Sequence, residues 1–388
     1  MIPYSTQCID EDDIEAVADV LRSPFLTAGP MVPRFEEALC EVTGAPYAVA
    51  VSSATAGLHL TLQALGIGEG DTVLVSAISF ASSANCARMV GAAVDFVDVD
   101  PLSGLITPET LAAKLKACQA AGQRVRAVIA VDLAGRMTCL EKLAALREEY
   151  GFYLIEDAAH ALGACRRGHN CGDGACADAT VFSFHPVKII TTAEGGAVMV
   201  RDKELHRRLT LLRSHGIEHD RAYLENQNRP AYYYEMQTLG FNYRMSDVHA
   251  ALGLAQLDKL ESFLSKRRSL AKAYPAYLKE ILPLGLTLPE ADSEDNLSSW
   301  HLYQVGIPER DRVYRFLRDR GIGVQVHYLP IYRHPYYQSL KAYPPLEGAE
   351  HFFEHTLSLP LHPQLNTVTL SYVSSLINEA LEKAEEDA

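Results

Sequence analysis

The sequence predicts an α/β fold, with a large, mostly parallel sheet covered by helices on both faces and a smaller C-terminal α+β domain. Three observations carry that prediction. From about residue 31 to 245, short apolar runs alternate with stretches of helical periodicity. Such alternation implies a parallel sheet with helical crossovers. The runs themselves are almost continuously apolar, as strands buried on both faces must be. After about residue 280 the pattern restarts with short strands and helices.

The elements follow in order. Residues 1–30 read as a polar lead-in with one helix over 11–21. Ala48 to Val51 reads as a strand, and Ser52-Ser53-Ala54-Thr55 as a small polar turn. Leu58, Leu62 and Leu65 then fall on one helical face, with Gly66 as terminator. Further strands are expected over 72–77, 94–99, 125–131, 153–156, 179–184 and 196–200, with helices over 110–121 and 140–150. A long helix is expected over 247–274, with Pro275 near its end. Beyond it, strands are expected over 300–307 and 323–328, and helices over 311–320 and near the C-terminus. The expected division is 1–245 for the large domain with its lead-in, and 246–388 for the linking helix and small domain. The 388 residues suffice for two or three domains, and no internal repeat stands out.

Three segments carry chemistry. Phe182-Ser183-Phe184-His185-Pro186-Val187-Lys188 sets a lysine just past an apolar strand, and Ile189-Ile190-Thr191-Thr192-Ala193-Glu194-Gly195-Gly196 follows it. A lysine held there loses water, its pKa falls, and it becomes a nucleophile toward aldehydes. Tyr153-Leu154-Ile155-Glu156-Asp157 is a strand ending in a carboxylate, 31 residues before Lys188. Ligands in open α/β sheets gather beyond such strand ends. A lysine Schiff base and an aspartate on a pyridine nitrogen are the two protein groups that pyridoxal phosphate most needs. The Ser52–Thr55 turn offers backbone N–H groups at a helix start, which suits a phosphate. Taken singly, Asp157 also reads as a helix cap or ion-pair partner, and the turn as an ordinary cap.

Together these segments resemble the DegT/DnrJ family of sugar aminotransferases, which use pyridoxal 5'-phosphate on the aspartate aminotransferase fold, fold type I. The nearest likeness is to its pseudaminic acid branch of 4-aminotransferases. Ile2-Pro3-Tyr4-Ser5, Phe25-Leu26-Thr27-Ala28-Gly29-Pro30, Leu239-Gly240-Phe241-Asn242-Tyr243-Arg244-Met245-Ser246-Asp247 and Val326-His327-Tyr328-Leu329-Pro330 extend the likeness over nearly the whole chain.

The resemblance implies roles. Lys188 would bind the cofactor's aldehyde and then act as general base and acid, and Asp157 would hold the pyridine nitrogen. Ala54, Thr55 and Ser183 would hold the phosphate, Phe80 would stack on the ring, and His160 would contact the cofactor. Asn242 would reach the phosphate of a neighbouring subunit, making a homodimer with shared active sites. His185, Arg244, His327 and Tyr328 would face substrate. The implied reaction moves an amino group from glutamate to C4 of a UDP-linked 4-keto-6-deoxy-N-acetylhexosamine. The alternatives are another nucleotide-linked keto sugar, or a non-catalytic regulator that keeps the fold. Relatives that remove a hydroxyl carry histidine in place of the lysine. Two departures concern substrate detail: Ala193 where glycine is frequent, and His160 where many members carry glutamine.

Composition excludes other classes. The net charge is −14, from 35 basic and 49 acidic residues, which disfavours nucleic-acid binding. No apolar stretch reaches the ~18 residues of a membrane helix. Met1-Ile2-Pro3-Tyr4 lacks the features of a signal peptide, so a cytoplasmic location is expected. Cys165, Cys171 and Cys176 cluster, but without Cys-x-x-Cys spacing, so no metal is expected there and the thiols are expected to be free.

Overall fold

The computed structural model describes residues 1–386. Seven strands form the central sheet: β1 (Tyr47–Val51), β2 (Thr72–Ser76), β3 (Ala93–Val97), β4 (Val125–Val131), β5 (Tyr153–Asp157), β8 (Ala179–Ser183) and β9 (Gly196–Val200). Between β5 and β8 lies a small hairpin of β6 (Cys165–Arg166) and β7 (His169–Asn170). The order across the sheet is β1-β9-β8-β5-β4-β2-β3. Pairing is parallel from β3 through β8, and β9 runs antiparallel to both its neighbours.

Side-chain alternation along the strands builds two cores, one on each face. In β1, Val49 and Val51 join one core while Ala48 and Ala50 join the other. In β9, Val198 and Val200 face the first, and Ala197 and Met199 the second. That is the period-two rule of a sheet covered on both sides. Helix α3 (Ala54–Ala64) packs on β8 and β9 and against α4 (Ser82–Met89) and α7 (Lys203–Arg213). Its burial extends beyond the expected leucine face to His59, Leu60 and Thr61, because these neighbours cover its remaining sides. On the other face, α1 (Glu11–Arg22) and α2 (Met31–Thr43) pack against α8 (Asp247–Leu257).

Three expectations are corrected. The long helix is two, α8 and α9 (Leu260–Leu278), separated at Asp258 and Lys259. Lys259 bonds to Asp10 and Asp13 of the lead-in, which ties the break to α1. α9 also runs on through Pro275 to Leu278, because the proline falls in its last turn. No strand forms over 323–328; Gln325 makes one bridge, to Ser358. The Val326 N–H goes to the Gln325 side chain instead of a ladder.

A third core, around Tyr274, Trp300, Val313, Leu357 and Leu370, belongs to the C-terminal part. It includes an antiparallel pair of strands, Tyr303–Gly306 and Thr356–Leu359. The chain crosses between the layers more than once. Ile2 pairs with Ile322, and the Leu361 N–H donates to the Tyr4 carbonyl. Ile331, Tyr332, Tyr337 and Phe352 return to the core of the large sheet. Among the described residues no helix is long and apolar enough to cross a membrane.

Candidate active site

The parallel strands deliver their C-terminal ends to one edge of the sheet. Val131 ends β4, Asp157 ends β5 and Ser183 ends β8. α3 starts just after β1, and the antiparallel β9 begins at the same edge with Gly196. A cavity of about 380 Å³ opens there, lined by Tyr4, Ala54, Thr55, Phe80, Asp157, His160, Ser183, His185, Lys188, Glu194, His327 and Tyr328. A larger cavity of about 480 Å³ beside Arg136 and Trp300 is lined by neither lysine nor histidine.

Lys188 sits in a braced loop. Its N–H closes a turn on the His185 carbonyl at 2.8 Å, and Ser5 Oγ donates to the Val187 carbonyl. Thr191 and Thr192 anchor the other limb: Thr191 Oγ1 donates to the Phe184 carbonyl, and Thr192 Oγ1 to that of Glu194. Ala193 takes φ 65° within this limb. That left-handed backbone suits glycine, which adopts it without strain, so the alanine at this position is held against its preference. Burial pushes the Lys188 amine down to about 8, with Asp157 opposing. Near physiological pH the neutral amine is therefore far more populated than in a lysine exposed to water.

Asp157 is 4% exposed. Burial raises its pKa, opposed by the Ser83 hydroxyl, the Ala159 N–H and then Lys188. Ser83 Oγ donates to Asp157 Oδ2 at 2.6 Å.

The start of α3 forms the anion end. Ser53 caps the helix by accepting from the Ala56 N–H, which leaves Ala54 and Thr55 facing the cavity. The helix dipole and free N–H groups favour a phosphate there. A Cβ on Gly196 would lie 2.5 Å from Ala54 N and 2.6 Å from Ser53 C. Only glycine lets β9 approach the turn this closely. Phe80 is 62% exposed at the cavity wall, a flat apolar face suited to an aromatic ring. Amine, carboxylate, phosphate-type cradle and aromatic wall are thus all present, and they fit pyridoxal phosphate.

Three histidines back the site. The Ala134 N–H donates to His160 Nδ1 at 3.2 Å. A backbone N–H only donates, so His160 carries its proton on Nε2. That N–H meets the Tyr328 hydroxyl oxygen at 3.2 Å. Burial, Lys188 and His327 all hold His160 well below its usual range, hence neutral. Burial likewise keeps Tyr328 protonated, and its own O–H remains available to another acceptor. His327 contacts Ser358 Oγ at 2.8 Å and is pushed down to about 3 by burial and Lys188. His301 packs against His160 with centroids 4.4 Å apart and the rings tilted at 50°.

Two named residues lie elsewhere. Asn242 and Arg244 are exposed and outside this cavity, pairing with Ser214 and Val51 as single bridges. Sequence reasoning missed Glu194, Ser79, Ser82 and Ser83. Glu194 and Tyr4 were within quoted motifs without an assigned role; a serine on a helix gives no comparable signal. The cysteine cluster disperses: Cys171 is buried beside Asp132 and Glu156, and neither Cys165 nor Cys176 joins it. Among the described residues this is the one grouping of three potential metal ligands. Burial, then Glu156, raises the Asp132 pKa, so Asp132 keeps a proton. Thr180 donates to Glu156 at 2.5 Å.

Comparison with known proteins agrees with this geometry. Residues 7–378 match the DegT/DnrJ/EryC1/StrS aminotransferase family. A UDP-4-amino-4,6-dideoxy-N-acetyl-beta-L-altrosamine transaminase of Campylobacter jejuni subsp. jejuni serotype O:2 is 38% identical over 390 residues, covering 99% of each chain. Helicobacter pylori PseC, an aminotransferase of pseudoaminic acid biosynthesis, superposes with TM-score 0.86 at 32% identity, covering 98% of this chain and 99% of that one. A Streptococcus pneumoniae protein described as a sugar aminotransferase, solved in its PLP form, gives TM-score 0.86 at 29% identity, covering 98% of this chain and 99% of that one. The fold is that of the fold type I pyridoxal-phosphate enzymes, with helices around a mostly parallel sheet and the lysine at its edge. By sequence and by structure, the chain belongs to the DegT/DnrJ/EryC1/StrS family and is a pyridoxal 5'-phosphate-dependent aminotransferase.

Proposed function

We propose that this aminotransferase moves an amino group from glutamate to C4 of a UDP-linked 4-keto-6-deoxy-N-acetylhexosamine, in a pseudaminic acid-type route. The observation that carries the reading is the full-length 38% identity to a transaminase named for the 4-amino-4,6-dideoxy product. The likeness to PseC supports it.

When bound, the cofactor supplies an electron sink for the carbanion formed at the donor's Cα. The chain's residues do the rest. Asp157 holds the ring nitrogen's proton. Lys188, which lines the cavity with Asp157, would take the proton from the donor's Cα and would serve as the acid that returns one. Ala54, Thr55 and Ser183 hold the phosphate, Phe80 covers the ring, and His160 fixes Tyr328. His185, His327 and the Tyr328 hydroxyl face the substrate side.

Asn242 and Arg244 act on the partner's site in a homodimer. In support, both are exposed, and the segment just before them exposes the apolar side chains of Tyr234, Met236 and Leu239. A surface of that kind marks an interface. A twofold pairing lets each subunit complete the other's site. The eight cysteines are all free thiols, which suits a reducing cytoplasm.

The test is mass spectrometry of products from UDP- and dTDP-linked 4-keto sugars with glutamate. A mass matching replacement of the carbonyl by an amine on the UDP-N-acetylhexosamine substrate supports the assignment. Amination of only the dTDP sugars contradicts it.

A further inference from the structure

Asp157 has to stay ionised in a place that water scarcely reaches. Its nearest support is a serine whose hydroxyl proton goes to it. Ser83 is fully buried, and its hydroxyl donates to Asp157 Oδ2 at 2.6 Å, the length of a charge-assisted bond. Ser79 Oγ lies 2.7 Å from Ser83 Oγ. Ser83 has one hydroxyl proton and gives it to the carboxylate, so Ser79 is the donor between the two. The hydroxyls therefore form a one-way chain, Ser79 to Ser83 to Asp157, in which each donation polarises the next.

A buried hydroxyl on a helix usually bonds back to the carbonyl four residues earlier. Thr43 and Thr61 in this protein do so, to Leu39 and Gly57, each at 2.8 Å. Ser83 sits in the first turn of α4, where the residue four earlier, Ser79, precedes the helix, and its hydroxyl reaches a carboxylate 74 positions along the chain. A structural cap does not require that choice.

We propose that Ser83, backed by Ser79, is a positioning residue for transamination that keeps Asp157 ionised and fixes the plane of its carboxylate. The proposal rests on the reading of Asp157 as the partner of the cofactor's ring nitrogen.

Two measurements separate the proposal from that reading. The first is the infrared carboxyl signal of the full cofactor-free chain against pH, assigned by difference from Asp157→Asn. Ser83→Ala should move Asp157 protonation up by about one to two pH units, as expected for losing a bond to a charged group. Ser79→Ala should move it less, and Ser83→Thr should restore it. If Ser83→Ala does not fold, Ser83→Cys replaces it, because a thiol is only a weak donor. An unmoved titration overturns the proposal, whatever Asp157 does in catalysis. The second measurement is the glutamate half-reaction of the holoenzyme. Its acid limb should shift upward in Ser83→Ala with KM nearly unchanged, and Ser83→Thr should restore it; a merely structural serine would lower thermal stability and leave the limb in place. If the titration moves but neither Ser83→Ala nor Asp157→Ala slows the half-reaction, Asp157 is not the ring-nitrogen partner. The catalytic role of Ser83 then falls with it, while the link between the two residues stands.

Discussion

Lys188 shows most directly how position sets chemistry. A lysine in water titrates near ~10.4. Burial brings this one to about 8, and the Asp157 carboxylate holds it from falling further. In the cofactor-free protein, reductive methylation of Lys188 should therefore reach half its maximal rate near pH 8, rising toward alkaline pH as the amine loses its proton. Asp157→Asn should move that midpoint lower, because it removes the attraction that favours the charged amine. A midpoint near that of surface lysines would contradict the desolvated site. Ala193 offers a stability test. It holds φ 65°, which costs an L-residue roughly 1–2 kcal/mol relative to glycine. Ala193→Gly should raise unfolding stability by about 1 kcal/mol in urea melts, the flexibility of glycine in the unfolded chain offsetting part of the gain. A loss of stability would mean that the bonds of Thr191 and Thr192 already determine the loop. Lys188 and Asp157 were legible in the sequence because each stands at the end of an apolar strand. Ser83 was not, because its importance depends on which side of α4 faces β5.

At the scale of elements, the strands were the most legible part. Apolar runs such as Val125–Val131, interrupted only by Arg126, and Gly196–Val200 leave little choice of conformation, and both form as expected. The break between α8 and α9 was not legible. Its cause is tertiary: Lys259 is drawn to Asp10 and Asp13, 249 and 246 positions away in sequence. The missing strand over 323–328 was not legible either: the pairing of Gln325 with Ser358 stays a single bridge. The contact of β9 with the start of α3 gives a test at this scale. Gly196→Ala places a methyl against the backbone of Ser53 and Ala54, so the helix start must shift. The affinity for pyridoxal phosphate, read by fluorescence titration, should fall at least about tenfold, which is roughly one lost hydrogen bond to a charged group. Gly68→Ala, whose added Cβ meets only the Val90 carbonyl at 3.5 Å, should leave that affinity unchanged. Equal effects of the two substitutions would count against the close approach as the reason for Gly196.

For the whole molecule, the return of Ile331 to Phe352 to the large-sheet core had no sequence signal, because apolar residues do not state which core they join. The same holds for Asn242 and Arg244, which the chain leaves exposed and apart from its own Lys188. A shared homodimeric site predicts complementation. Lys188→Ala and Asn242→Asp homodimers should each be impaired, and mixed dimers should recover activity, since both lesions then fall in one site and leave the other intact. Persistent inactivity after verified subunit exchange would put Asn242 at work within its own chain. The molecule as a whole is built around one lysine at one edge of one sheet. Borohydride reduction of the holoenzyme, followed by peptide mass mapping, tests this most directly. The cofactor mass should be fixed to the peptide containing Lys188 and absent from that peptide in Lys188→Ala. Attachment to any other lysine, or none in a protein that still transaminates, would contradict it.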